Sequence, residues 1–339
     1  MSATPGYVIA ADVGGTNTKL ALAACDQRGA CTFVARHNYR SGAHATFALA
    51  VEAFLREPDV QPLADRVRGA CFAVAGPVEE GRARLTNLAW QIDQAELEAH
   101  LPIGKVRVIN DFAAAGLGIE HLPENDLMTL QAGTPVARAD RVVVGAGTGL
   151  GVCILDHDGD HYEVHASEGG HADFAPVDEL QDALLRFLRK EFVRVSCERI
   201  VSGPGLPRIL TFLAQHTGRA PCAELAQAMV TGNPSRAVTE FAMSGRDPLA
   251  AQALHIFVSA YGGFAGNVAL LALAHGGVYI AGGIAPKIAA KLRDGTFVAA
   301  FNAKGRFGPL MATIPVHVVM NEHLGLIGAV HAAERVARV

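Results

Sequence analysis

The chain opens with short apolar runs separated by glycine turns. Residues 7–13 form an apolar run, the pair Gly14-Gly15 follows, and a second apolar run covers residues 19–24. The arrangement returns at residues 141–155, where a glycine-rich turn again separates two apolar runs. Apolar runs of this length bounded by glycines are typical of strands joined by tight turns. The repetition predicts a duplicated architecture, with one strand–turn–strand unit in each of two domains.

The remaining pattern predicts further strands and helices of ordinary length. Strands are expected at residues 69–75, 106–109 and 277–281. Helices are expected at residues 45–56, 93–100, 178–190, 222–231, 248–274 and 325–338. The most apolar stretch, residues 264–285, is interrupted by Asn267, His275 and two glycine pairs. These interruptions favour a core helix followed by a strand over a membrane span.

The composition indicates an α/β protein of two domains. Half of the 339 residues are hydrophobic, 6% are aromatic and 36 are glycine. Small residues let strands, helices and ligand phosphates approach closely, which is typical of α/β folds. The length suits two domains. We predict a small α/β domain over residues 1–111, completed by a C-terminal helix at 325–339, and a large α/β domain over residues 112–324.

Charge and cysteine spacing narrow the choice of partner and compartment. The formal net charge is −4 and no cluster of lysine or arginine stands out, so nucleic acid is not an expected partner. The first seven residues lack the basic start of a signal peptide, and we expect a cytoplasmic protein with no membrane partner. The six cysteines include no CxxC pair and predict reduced, mostly buried thiols, with neither a disulfide framework nor a zinc site.

Two of the glycine turns are candidate phosphate-binding loops. Glycines at a hairpin tip present backbone N–H groups with no Cβ in the way of a phosphate. In the first turn Thr16 and Asn17 add donors, and Asp12 is placed to hold a water on a phosphate-bound Mg²⁺. The second turn contains Gly147-Thr148-Gly149. Neither turn matches a Walker loop or a Rossmann fingerprint, and an ordinary hairpin turn is the alternative for each.

Two more motifs follow predicted strands. Asn110-Asp111 ends the strand at 106–109, and α/β proteins place ligand sites at the carboxyl ends of strands. An aspartate before a helix is also a common N-cap, which is the competing interpretation of Asp111. Gly282-Gly283 follows the strand at 277–281 and would lie against a nucleoside, where a side chain would clash. A tight turn is the alternative for this pair.

A further group combines two acids with an imidazole. Glu168 and His171 flank a glycine pair, so both side chains can converge on one polar ligand, and Glu198 precedes another glycine turn. Carboxylates and imidazole can hydrogen-bond hydroxyl groups. A surface turn and an exposed Glu198–Arg199 ion pair are the alternatives. Zinc is disfavoured, because no further His or Cys lies at ligand spacing.

In order and spacing, these motifs resemble the bacterial glucokinase family of the actin/hexokinase/Hsp70 ATPase superfamily. The resemblance covers nearly the full chain. It rests on the segments 12–17 (DVGGTN), 85–90 (LTNLAW), 110–112 (NDF), 147–151 (GTGLG), 168–176 (EGGHADFAP), 198–206 (ERIVSGPGL), 281–284 (AGGI) and 304–307 (KGRF). The cysteine-rich zinc motif of the related ROK sugar kinases does not follow His171, so the chain is similar to the zinc-free branch.

The resemblance implies two ribonuclease-H-like α/β domains of the actin/hexokinase type, with a ligand cleft between them. It implies phosphorylation of the 6-hydroxyl of D-glucose by ATP with Mg²⁺, which gives glucose 6-phosphate and ADP at the entry to glycolysis. A homodimer is common in the family. Departures at residues 17–19 and 74–77 leave the preferred hexose open. A sugar-sensing regulator and an actin- or chaperone-like ATPase are further alternatives.

The resemblance also implies roles for individual residues. The position of Asp111 is that of the catalytic base. Positions that contact the sugar are Asn110, Glu168, His171, Glu198 and, within the segment 85–90, Asn87. Positions that contact the nucleotide are Ala11, Asp12, Val13, Gly14, Gly15, Thr16, Asn17, Gly147, Thr148, Gly149, Gly282 and Gly283. Among these, Asp12 is the candidate for holding Mg²⁺ through water.

Overall fold

The computed structural model of the chain describes residues 6–85 and 88–338. Its strands are β1 (Gly6–Val13), β2 (Asn17–Cys25), β3 (Cys31–Arg40), β4 (Val67–Val74), β5 (Val78–Glu79), β6 (Arg82–Arg84), β7 (Gln91–Asp93), β8 (Lys105–Asn110), β9 (Leu127–Gln131), β10 (Arg141–Ala146), β11 (Leu150–His157), β12 (Tyr162–Ser167), β13 (Gly277–Ala281) and β14 (Val316–Val319). Its α-helices are α1 (Phe47–Leu55), α2 (Gln94–His100), α3 (Asp111–Gly118), α4 (Glu179–Leu188), α5 (Gly205–Thr217), α6 (Ala223–Thr231), α7 (Pro234–Met243), α8 (Pro248–Ala272), α9 (Ala289–Leu292), α10 (Thr296–Asn302), α11 (Gly308–Met311) and α12 (Leu324–Arg338).

The chain divides into two compact units. The first comprises residues 1–123, 162–166 and 323–339, and the second comprises residues 124–161 and 167–322. Helix α12 belongs to the first unit, and so does α3, which begins at residue 111. The reason is that α3 packs directly against α12.

The first unit is built on a five-stranded sheet with the order β3-β2-β1-β4-β8. The pairs β1–β2 and β2–β3 are antiparallel, whereas β1, β4 and β8 run parallel to one another. Successive side chains of a strand point to opposite faces. In β1, Ile9 and Ala11 join the core that contains α1, while Val8 and Ala10 join the core that contains α12. Burial on both faces explains why β1 is a continuous apolar run.

Helix α12 approaches α3 closely enough that glycine is required at the contact. A Cβ on Gly328 would lie 1.7 Å from the Ala114 carbonyl oxygen. A Cβ on Gly118 would lie 2.5 Å from the Leu324 carbonyl oxygen. Helix α12 also packs on β1, β4 and β8. The glycine contact therefore ties α3, and with it Asp111 at its first position, to the sheet.

The second unit contains five strands of one sheet, in the order β11-β10-β13-β14-β9. The pair β10–β11 is antiparallel, and β13 and β14 continue parallel to β10. The long helix α8 packs on α5, α7 and α10 and buries Phe257, Tyr261 and Phe264 among others. Among the described residues, α8 alone has the length and composition of a membrane span, and 67% of its apolar window is buried. A core helix, as predicted, explains both the apolar composition of α8 and its burial.

The two units repeat one strand order. In each, an antiparallel hairpin, β1–β2 or β10–β11, is followed by two strands parallel to the first strand of that hairpin. This is the ribonuclease-H-like topology of actin/hexokinase-type domains, so the predicted α/β class and the predicted duplication are confirmed. The strands and helices predicted from the apolar pattern end within two residues of the observed bounds.

The prediction that all six cysteines are reduced is wrong. Cys25 and Cys31 form a disulfide across the β2–β3 hairpin, where the strand register places them directly opposite each other. The other four are free thiols, of which the first three are buried: Cys71, Cys153, Cys197 and Cys222. The apolar pattern gives no signal for β3, and without that strand the pairing of Cys25 with Cys31 is invisible.

Candidate active site

The first glycine turn joins β1 to β2 and is held in place by Ser41. The Gly14 N–H donates to the Asn17 carbonyl at 3.0 Å and closes the turn. The Ser41 hydroxyl donates to the Gly14 carbonyl at 2.8 Å, and the Ser41 N–H donates to the Thr16 carbonyl at 3.0 Å. The side chains of Thr16 and Asn17 are exposed. The turn thus presents two polar side chains on a fixed backbone.

Asp12 precedes this turn and faces Lys19 across the hairpin. The two residues are opposite in register, and Lys19 Nζ lies 3.7 Å from Asp12 Oδ2. Burial raises the pKa of the Asp12 carboxyl above its ordinary value, and the Lys19 ammonium offsets that rise only in part. A poorly solvated carboxylate is stabilised by a nearby cation, and oxygen ligands are those that Mg²⁺ prefers. Asp12 therefore fits the role of a residue that would hold Mg²⁺ through a water molecule.

Asn110 and Asp111 lie at the edge of the sheet where β1 also ends. Val13, Val74 and Asn110 are aligned across β1, β4 and β8, which all run in the same direction. Two strand spacings separate the ends of β1 and β8, a distance of about 10 Å. Open α/β sheets bind ligands outside this carboxyl edge. The first glycine turn and Asp111 thus border one candidate ligand region within the first unit.

Asn110 is the N-cap of α3. Its Oδ1 accepts the N–H groups of Phe112 and Ala113 at 2.8 and 3.1 Å, and its Nδ2 donates to the Gly76 carbonyl at 2.9 Å. Asp111 is the first helical residue, and its Oδ1 accepts the Phe112 N–H at 2.9 Å. The N-cap interpretation of Asp111 is wrong, because Asn110 fills that role.

The second glycine turn joins β10 to β11 and is bordered by Glu198. The Gly147 N–H donates to the Gly149 carbonyl at 2.8 Å, and the Leu150 N–H donates to Glu198 Oε2 at 3.0 Å. The Gly203 N–H donates to the Gly147 carbonyl at 2.7 Å. A Cβ on Gly149 would lie 2.5 Å from Glu198 Oε2, whereas a Cβ on Gly147 would meet nothing within 4 Å. A side chain at 149 would therefore displace the Glu198 carboxylate, while position 147 borders open space.

Glu168, His171 and Glu198 lie together beside this turn. His171 Nε2 is 3.8 Å from Glu168 Oε2, and His171 Nδ1 is 4.0 Å from Glu198 Oε1. The side chains of Glu168, His171 and Glu198 are 65%, 57% and 27% exposed. The structure therefore brings the three predicted sugar-contacting residues of the second unit together, with their polar atoms open to a ligand.

Backbone contacts hold the two segments that carry these side chains. The Cys197 N–H donates to the Ala172 carbonyl at 2.8 Å, and the Phe174 N–H donates to the Val195 carbonyl at 3.0 Å. A Cβ on Gly170 would lie 1.8 Å from the carbonyl oxygen at the start of β11, so glycine is required for this segment to rest on the strand. The arrangement of the cluster thus depends on the backbone more than on attraction among its exposed charges.

The third glycine turn follows β13 and contacts the end of β10. Gly282 has a φ of +84°, and a Cβ on it would lie 2.5 Å from the Ala146 carbonyl oxygen. The Ile284 N–H donates to that same oxygen at 3.3 Å. Gly283 is exposed, and a Cβ on it would meet nothing within 4 Å. The second and third turns therefore lie at neighbouring strand ends of one sheet, and each contains a glycine that borders open space.

Some of the residues predicted from sequence do not offer a side chain to a ligand. Ala11 and Val13 are fully buried in the core, so only their backbone groups are available. Asn87 lies outside the described residues. Lys19 and Ser41, which contact Asp12 and the first turn, were not predicted. The register of the first hairpin would have revealed Lys19, whereas no local sequence signal connects Ser41 with Gly14.

Comparisons with known proteins establish the family. The glucokinase family model matches residues 9–336. A glucokinase from Nostoc sp. is 42% identical over 97% of this chain and 99% of its own length, and one from Synechocystis sp. is 41% identical over 95% and 96%. The crystal structure of a glucokinase from an Antarctic psychrotroph is similar with a TM-score of 0.83 at 31% identity, covering 97% of this chain and 99% of that chain. The chain belongs to the glucokinase family.

Proposed function

We propose that this chain transfers the terminal phosphoryl group of ATP to the 6-hydroxyl of D-glucose. The proposal rests on the contact between the cluster of Glu168, His171 and Glu198, which suits sugar hydroxyls, and the turn 147–149, which suits phosphates. The Glu198 carboxylate lies beside His171 and also accepts the Leu150 N–H at the end of the turn 147–149. A group suited to hydroxyls is thereby joined to a turn suited to phosphates. Membership of the glucokinase family supports the same reaction.

Asp111 is the general base in this proposal. It accepts the proton of the sugar 6-hydroxyl as that oxygen attacks the γ-phosphorus of ATP. Its position at the start of α3 supports the role, because this is the carboxyl edge of the sheet, outside which open α/β sheets bind ligands. A well-placed base contributes roughly 10²–10⁴-fold to the rate. Positioning and charge neutralisation supply most of the remainder in phosphoryl transfer.

The cluster Glu168, His171 and Glu198 orients the sugar. The two carboxylates accept hydrogen bonds from hydroxyl groups, and such charge-assisted bonds are short. Either ring nitrogen of His171 can donate or accept, according to its tautomer. Asn110 Nδ2 gives one hydrogen to the Gly76 carbonyl, and its second hydrogen serves a sugar oxygen. Asn87 belongs to this set through its sequence motif alone.

The glycine turns bind the nucleotide. The backbone N–H group of Gly15 receives a phosphate oxygen. Gly14 and Gly147, whose own N–H groups close their turns, let a phosphate approach because they carry no Cβ. Further donors come from side chains at the same turns, namely Thr16, Asn17 and Thr148. Asp12 holds Mg²⁺ through water, and this cation, when bound, neutralises charge on the phosphate oxygens. Gly283 borders the nucleoside.

The same proposal places the protein in the cytoplasm as a homodimer. The resemblance to the glucokinase family supports both. Analytical ultracentrifugation at micromolar concentration tests the assembly. A species of twice the chain mass supports the dimer, and a species of the chain mass contradicts it.

Turnover of the wild-type protein over a panel of sugars and donors tests the proposed reaction. Glucose, mannose, fructose and glucosamine are each combined with ATP, ADP or polyphosphate. We expect the highest kcat/KM for glucose with ATP, and glucose 6-phosphate as the product. A higher kcat/KM for another hexose assigns the chain to that sugar. ATP consumption that does not depend on any sugar favours an ATPase, and no turnover at all favours a regulator.

A further inference from the structure

Tyr261 is a buried tyrosine of α8 whose hydroxyl lies at the ends of two neighbouring strands. The residue is 0% exposed. Its ring packs edge-on against Phe257 and Phe297, with centroids 6.1 and 5.5 Å apart. Its hydroxyl oxygen lies 3.1 Å from both the Val144 carbonyl oxygen and the Ala146 nitrogen of β10.

The same hydroxyl also reaches β13, at 3.5 Å from the Ala281 carbonyl oxygen. It therefore lies among three backbone groups of two strands. It accepts the Ala146 N–H, and its own hydrogen is directed to a carbonyl, of which that of Val144 is the nearer. Such a hydroxyl replaces, inside the protein, the water that would otherwise satisfy these backbone groups.

These strand ends are the points where two glycine turns begin. The pairing of β10 with β13 ends at Gly145 and Ala281. Beyond that pair β10 continues into the turn 147–149, and β13 continues into the turn 282–283. The hydroxyl of Tyr261 thus lies where the backbone pairing between β10 and β13 ends.

We propose that Tyr261 is a positioning residue that fixes the spacing of these two glycine turns and thereby sets the affinity for ATP. The inference rests on the proposed function, in which both turns bind the nucleotide. Tyr261 does not touch substrate in this account. It acts through the backbone groups of Ala146 and Ala281, from which the turns depart.

The helix that carries Tyr261 is itself held rigidly, so its hydroxyl has a fixed position. A Cβ on Gly262 would lie 2.2 Å from the Phe297 carbonyl oxygen, and a Cβ on Gly266 would lie 2.5 Å from the Phe301 carbonyl oxygen. Helix α8 therefore meets α10 with backbone nearly in contact at two places. Loss of the hydroxyl cannot be compensated by a small shift of α8, because the neighbouring backbone blocks it.

The substitution Tyr261→Phe tests the proposal, since it removes the hydroxyl and keeps the ring. It leaves the Ala146 N–H without its acceptor in a buried place, and the ends of β10 and β13 are expected to separate. We predict a rise of about tenfold in KM for ATP, with KM for glucose little changed. Tyr279→Phe is the matched control, because Tyr279 lies on β13 with its ring against His317. The control is expected to keep the wild-type KM for ATP.

Gly283→Val separates failure of this inference from failure of the proposed function. The protein has room for a side chain at position 283, so only a bound nucleotide would meet it. If Gly283→Val leaves KM for ATP unchanged, the turn 282–283 does not bind the nucleotide, and the proposed function is wrong about this turn. If Gly283→Val raises KM for ATP and Tyr261→Phe does not, the positioning role is overturned.

A measurement of ligand binding distinguishes the proposed role of Tyr261 from a general loss of stability. The rise in melting temperature caused by Mg·ADP and the rise caused by glucose are recorded for Tyr261→Phe and for wild type. The proposal predicts a smaller rise with Mg·ADP and an unchanged rise with glucose. Equal weakening of both responses, or a variant that does not fold, contradicts the specific role and marks Tyr261 as a residue of general stability.

Discussion

At the residue scale, the glycines around the site serve two different needs. Gly170 and Gly282 have no room for a side chain, since a Cβ at either would lie 2.5 Å or less from a backbone carbonyl oxygen. Gly147 and Gly283 border open space. The fold alone explains the first group. The second group is explained by a ligand that must approach the backbone closely.

Asp12, which we propose holds Mg²⁺ through water, is expected to reduce the stability of the protein at neutral pH. Its pKa is raised by burial, so the folded protein keeps this proton at pH values where the unfolded chain has lost it. The free energy of unfolding therefore falls as pH rises through that interval, and the penalty persists at higher pH. We predict that Asp12→Asn has a higher melting temperature than wild type at pH 7.5.

The pH dependence of the higher melting temperature of Asp12→Asn shows whether the raised pKa of Asp12 is its cause. The difference between Asp12→Asn and wild type should shrink as the pH is lowered and Asp12 of the folded protein becomes neutral. Differential scanning calorimetry at several pH values measures it. Loss of the partner of Lys19 has little effect, because the Lys19 side chain is partly exposed. A gain that is the same at every pH, or a lower melting temperature at pH 7.5, would contradict this account of Asp12.

The sequence anticipated the proximity of three side chains at the candidate site, and it missed contacts that depend on register and on helix starts. Glu168, His171 and Glu198 were predicted to converge, and they do so. The contacts of Ser41 with Gly14, and the N-cap role of Asn110 in place of Asp111, were not predicted. Such contacts depend on the exact register and on where a helix begins, which the apolar pattern gives only to within a residue or two.

At the element scale, the packing of α12 on α3 extends to a stacked pair of histidines. His121 follows α3, His331 lies on α12, and the ring centroids are 3.3 Å apart with planes 7° from parallel. Burial, the neighbouring histidine and Arg335 lower the pKa of His331 to about 4. Burial and Arg335 also lower the pKa of His121. Both rings therefore pack in the neutral form.

This pair predicts a loss of stability in mild acid. In the unfolded chain a histidine takes up its proton near pH 6.5, whereas folded His331 does so only near pH 4. The free energy of unfolding should therefore decrease as the pH falls from about 6.5 toward 4. We predict that His331→Gln reduces the drop in melting temperature between pH 7.5 and pH 5.0. An unchanged drop in this variant would show that the histidine pair is not responsible for it.

Some elements with a strong apolar pattern were predicted closely, whereas the more polar strand β3 was not predicted. The run at 277–281 is β13 residue for residue, because a strand buried on both faces is apolar throughout. Strand β3 alternates exposed and less exposed residues and ends in polar residues, so its pattern resembles that of a loop. Missing β3 also meant missing the Cys25–Cys31 disulfide, which depends on the register of β2 with β3.

At the scale of the whole molecule, one topology occurs twice and each copy ends its first strand in a glycine turn. The first copy places Asp12 and Asp111 at the carboxyl edge of its sheet. The second copy places the turn 147–149 beside the cluster of Glu168, His171 and Glu198. The recurrence of strand–glycine turn–strand was visible in the sequence. The order of the strands was not, because pairing between distant segments leaves no mark on local composition.

The role of Asp111 is the central claim, and Asp111→Asn tests it most directly. Asparagine preserves the size of the side chain but cannot accept the proton of the sugar 6-hydroxyl. Asp93→Asn is a suitable control, because Asp93 also stands at a helix start in the first unit and asparagine caps a helix equally well. The control is expected to turn over at the wild-type rate.

The deciding measurement is kcat for glucose phosphorylation together with the dissociation constant for glucose, in wild type, Asp111→Asn and Asp93→Asn. The account predicts that Asp111→Asn lowers kcat by roughly 10²–10⁴-fold while glucose is still bound. Near-normal kcat in Asp111→Asn would contradict it and would leave Asp111 as an ordinary first residue of α3.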